Sequence, residues 1–82
     1  MTSDDVDLTR QLYEAIRPLL AGHPPQVQGA VLADLLATWL AGHYADSDAD
    51  TDRLRETIFA KHSEIVWELV PVNDAIIHGT RR

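Results

Sequence analysis

The chain reads as all-α, a three-helix bundle completed by dimerisation. Apolar residues recur at helical spacing in three separate segments. No stretch alternates apolar and polar residues between turn signals, as a strand would. Glycine, paired prolines and a short acidic run punctuate the sequence between the segments. At 82 residues, residues 1–82 suit a single helical domain.

The first helix is expected at about residues 5–22. It follows Ser3-Asp4-Asp5, an N-cap with acids set against the positive end of the helix dipole. Val6, Leu8, Leu12, Tyr13, Ile16, Leu19 and Leu20 fall on one face, and Pro18 projects to the polar side. Gly22 and Pro24-Pro25 end the helix.

The second helix is expected over 25–43, with Pro25 in the first turn, where its missing N–H costs nothing. Val27, Val31, Leu32, Leu35, Leu36, Trp39 and Leu40 cover more than half its circumference. Gly29, Ala33, Ala37 and Ala41 form a ridge of small side chains beside them. A helix apolar nearly all round is a buried one, so this segment is expected at the centre of the fold.

The run Ala45–Asp52 is small and acidic and reads as a solvated loop, with Asp50 or Thr51 capping the third helix. That helix is expected over 52–78, with a kink or a break at Pro71. Leu54, Ile58, Phe59, Ile65, Val66, Leu69 and Val70 share one face with His62 in its middle, and Val72, Asn73, Ile76 and Ile77 extend it.

Composition narrows the function classes. With no cysteine there is no disulfide framework and no thiolate zinc site. Seven Lys and Arg against thirteen Asp and Glu give a net charge of −6, which argues against a phosphate-binding surface and hence against nucleic acid. No segment is long and apolar enough to span a membrane, and the acidic N-terminus is unlike a signal peptide, so a cytoplasmic location is expected.

Residues with chemistry each have a plain structural reading. Asp46, Asp48, Asp50 and Asp52 alternate like the first half of an EF-hand loop. Counting from Asp46, however, Thr51 stands where that loop needs glycine, and Thr57 where it needs the closing glutamate. A helix-capping loop is the better account. His23, His43, His62 and His78 form no pair on one helical turn, and no Glu-x-x-His signature is present. His23 and His43 suit carbonyl caps, and His62 suits a hydrogen-bonded histidine in the core. There is no nucleophile elbow and no glycine-rich phosphate loop. Asp34 is the one charge between Gln26 and His43, and a partner for it is expected in Arg55. No cofactor and no metal are expected.

The apolar surplus points to association. Two flanking helices cover only part of the second helix, the small ridge admits a closely packed neighbour, and Trp67 lies outside the apolar face of its own helix. Gly29, Ala33, Ala37, Trp39, Ala41 and Trp67 are therefore the interface candidates, and a homodimer is the expected partner state. A monomeric core that merely uses the ridge and Trp67 as cover is the competing reading. The run from His23 to His43, HPPQVQGAVLADLLATWLAGH, with Leu69-Val70-Pro71-Val72-Asn73, resembles small uncharacterised all-helical bacterial proteins, a likeness that implies no activity, cofactor or site residue.

The function expected is thus a small helical protein that self-associates and acts through protein–protein contacts. A ligand- or metal-binding protein or small enzyme with a site near His62, Asp34 and Trp39 is the alternative. A third reading takes the acidic surface as a lure for a basic partner.

Overall fold

The computed structural model describes residues 1–79. Three α-helices run α1 (Ser3–Leu20), α2 (Pro25–Ala41) and α3 (Asp48–His78), with no strand among the described residues.

The helix boundaries differ from expectation by a few residues, for capping reasons. α1 starts two residues early because Thr2 makes a better cap than Ser3. The Thr2 hydroxyl accepts the Asp5 N–H at 3.1 Å, and the Asp5 carboxylate accepts the Thr2 N–H at 3.3 Å. This is a capping box with aspartate in the usual glutamate role. Pro18 sits inside the helix without ending it. The end comes at Leu20, and Gly22 then takes a positive φ of 82°.

α3 begins four residues earlier than the sequence predicts, because Ser47 caps it by accepting the Asp50 N–H at 3.1 Å. Asp48 and Asp50 thereby lie in the first helical turn, and only the start of the acidic run is loop. Thr51 closes the connection, its hydroxyl accepting the Ala45 N–H at 2.9 Å. Of the two expectations at Pro71, the break is overturned: α3 is one helix of 31 residues with Pro71 inside it. The proline removes a single donor, and both Pro71 and Trp67, whose carbonyl loses that donor, are exposed, so water can take its place.

The chain divides within α2 into two compact units, Met1–Asp34 and Leu35–Arg82. In the first, α1 is joined to the opening of α2, and Gln28 Nε2 donates to the Leu20 carbonyl at 2.7 Å. That side-chain cap finishes α1 and holds its turn. In the second, the last two turns of α2 lie against the start of α3. Leu36, Leu40, Leu54, Ile58 and His62 are half-buried there.

The central buried helix expected of α2 is not found. None of the described residues is buried, in α2 or elsewhere. The reason is geometric: two helices in contact shield only the strip between them, and each unit contains only two helical segments. The apolar faces are on the helices as predicted, but they remain in water.

Gly22 needs its backbone freedom, since a side chain at φ +82° is strained even though an added Cβ would meet nothing within 4 Å. Gly22→Ala should therefore cost about 1 kcal/mol. Thermal melting followed by circular dichroism at fixed protein concentration would show it, with native helix content unchanged.

Candidate functional site

The best-organised polar construction is at the carboxyl end of α2. A helix leaves its last four carbonyls without intrahelical donors and carries partial negative charge there. No basic residue lies in the last turn of α2 to answer it. Arg55 supplies the answer from α3. Its Nε donates to the carbonyls of Leu40 at 3.1 Å and His43 at 2.9 Å, and its Nη2 to that of Ala41 at 2.9 Å. The Gly42 N–H reaches the Thr38 carbonyl at 3.1 Å, and His43 Nδ1 donates to the Trp39 carbonyl at 2.8 Å. A carbonyl only accepts, so this bond places the His43 proton on Nδ1. Every carbonyl from Thr38 to Ala41 thus has a donor.

This arrangement gives Arg55 a different role from the one expected of it. Its Nε and Nη2 serve a helix terminus, a structural task that suits a flat, forked cation. Asp34 belongs to the first unit and is exposed, not partly buried as its apolar surroundings suggested.

With α2 held against α3, an aromatic cluster forms on the second unit. Trp39 meets His43 edge-on at 5.2 Å between ring centroids and His62 at 4.9 Å with the rings tilted by 51°. His62 is half-buried and makes this ring contact, whereas the sequence suggested a hydrogen-bonded core position. A groove of about 320 Å³ runs beside the pair, lined by Trp39, Thr57, Ile58, Lys61, His62 and Ile65. The structure brings Trp39 and His62 together as the ligand-site reading required. The neighbours it provides are largely apolar, and no group of three His, Asp or Glu side chains that could hold a metal occurs among the described residues.

The other interface candidates lie in the open. Gly29, Ala33, Ala37 and Ala41 are all exposed, and a Cβ added at Gly29 would meet nothing within 4 Å. Trp67 is 74% exposed. Family models, curated proteins and solved structures were all compared with the chain. Nothing matches. No helix among the described residues is long and apolar enough to cross a membrane.

What sequence reasoning missed is a larger surface further along α3. Every apolar side chain from Ile65 to Ile77 is exposed, and a groove of about 380 Å³ follows Val66, Leu69, Val70, Asn73 and Ile77, lined also by Asp74 and His78. The face itself was legible. Its lack of cover was not, because the helix was expected to pack inside a bundle.

Arg55→Ala should destabilise the chain by about 1–2 kcal/mol, since three charge-assisted bonds to partly exposed carbonyls are lost together. Arg55→Lys should recover less than half of that, because an ammonium cannot span three carbonyls as the guanidinium does. Urea unfolding monitored by circular dichroism at fixed concentration measures both.

Proposed function

We propose that this protein works by association, first with a second copy of itself and through that assembly with other proteins. The carrying observation is that a chain with well-capped helices buries none of its described residues. It leaves 7075 Å² accessible to solvent. A folded monomer of 9.1 kDa is expected to expose about 4,900 Å². The difference, roughly 2,200 Å², exceeds the ~800 Å² per partner of a standard interface and is of the size seen where folding and assembly are coupled.

The exposed side chains are also of the right kind. Twenty-two large hydrophobics are exposed, Trp39, Trp67 and Tyr44 among them. Burying them is worth about 25 cal/mol per Å². On α2, the ridge of Gly29, Ala33, Ala37 and Ala41 lets a neighbouring helix approach closely. The surplus of acids keeps such a surface soluble while a partner is found.

The ligand-site alternative draws on one observation, the Trp39–His62 contact beside its groove. It is the weaker reading, because the lining offers few polar groups to orient a ligand.

Sedimentation at micromolar concentration should find a species of at least twice the 9.1 kDa chain mass. A single 9.1 kDa species with a cooperative melt would overturn the proposal. Trp67→Ala should weaken assembly about tenfold, as removal of a large rim aromatic does, and leave helix content nearly intact.

A further inference from the structure

The continuity of α3 through Pro71 makes its second half a single, uninterrupted helical repeat. With Asn73 at position a of a heptad, Phe59 and Val66 also fall at a, and His62, Leu69 and Ile76 at d. Ile65 and Val72 then occupy g, and Val70 and Ile77 occupy e. Apart from His62 at d, the charged or titratable residues from Lys61 to His78 (Lys61, Glu64, Glu68, Asp74 and His78) fall at b, c or f. Pro71 also falls at f, where a missing N–H lies furthest from the seam. Asp74 and His78 approach each other at 3.9 Å on the edge of the groove.

We propose that two copies of α3 pair in parallel and in register along the Val66–Ile77 face, with the two Asn73 carboxamides opposite each other. This rests on the self-association reading and names the surface and the geometry. Within its own unit this stretch has nothing to face, because the unit's share of α2 is Leu35–Ala41, about 10 Å of helix, against about 46 Å for α3.

The occupant is a second copy for three reasons. The accessible surface in excess of a folded monomer is more than one side of a stable dimer requires. No a, d, e or g position from Ile65 to Ile77 carries a charge, and Asp74, on the groove's edge, already faces His78 of its own helix. Asn73, half-buried in the groove, forms no side-chain hydrogen bond among the described residues. A carboxamide is both donor and acceptor, so its own counterpart satisfies it.

That last point selects the orientation. In a parallel pair each a position meets the same a position, and Asn73 meets Asn73. In an antiparallel pair a meets d, which would set the amide against leucine or isoleucine and leave it unpaired. Val66 at a with Leu69 at d is also the two-stranded preference. The apolar e and g positions make the face wider than a simple coiled-coil seam, so other helical segments of the dimer border it. Trp67, at b beside the e edge, belongs to that border.

The cysteine-free chain makes the test direct. Leu69→Cys and Ile76→Cys, each alone in the full chain, are oxidised and resolved on non-reducing gels while sedimentation is followed under reducing conditions. The two sites lie about 10 Å apart along the helix, beyond what one disulfide can span. Both variants should form self-linked dimers, roughly tenfold more than Trp67→Cys. Val66→Cys replaces Leu69→Cys if the latter loses helix content. Self-linking at only one site, or a preferred 69-to-76 product when the two variants are mixed in equal amounts, would overturn the parallel register while leaving self-association intact. Dimers by sedimentation without self-linking at either site would place the interface elsewhere. A monomer in every sample would remove the underlying reading as well.

Discussion

Water is excluded by a pair of helices only along the strip where they touch, and that limit governs the rest of this molecule. Each of its units joins two helical segments, so each can offer a half-dry seam and no interior. Good capping at the helix starts and a set of strong apolar faces therefore coexist with a chain that buries none of its described residues. Local structure and tertiary burial, which strengthen each other in a self-sufficient domain, are here separable. The first is complete within one chain. The second requires surface from elsewhere.

The polar contacts show how local order is kept without a core. Thr2 with Asp5, and Ser47 with Asp50, settle the starts of α1 and α3. Gln28 settles the end of α1, and Arg55 the end of α2. The last two act across a turn, so each also joins two helices. Ion pairs such as Arg10 with Glu14 and Lys61 with Glu64 lie on exposed helix surfaces and contribute little. What fixes the connections is the answering of orphan backbone groups.

Much of this was legible from the residues. Periodicity located all three helices, since a 3.6-residue repeat is written directly in the spacing of Val, Leu and Ile. Pro18 and Pro71 were recognised as outward-facing and compatible with a continuing helix. The start of α2 at Pro25 was read correctly, whereas those of α1 and α3 were off by two and four residues because several Ser, Thr and Asp side chains compete to cap the same turn, and geometry decides among them. Arg55 was singled out, and the task the structure shows for it is closing the end of α2. A single charge on α2 drew attention to Asp34, whereas the larger demand was four carbonyls, which no sequence pattern displays. Burial failed for a different reason: an apolar face states that cover is needed and does not say which molecule provides it.

The Arg55 contact also bears on the order in which the molecule can be made. Its Nη2 reaches back 14 residues to the Ala41 carbonyl. During synthesis, α2 is complete in sequence before its terminus can be closed. Until Arg55 has followed it out of the ribosome, the Ala41 carbonyl has only solvent to turn to and that of Leu40 only the His43 N–H, so that end of the helix frays. The turn, the start of α3 and the end of α2 must then consolidate together, as one step of short chain separation.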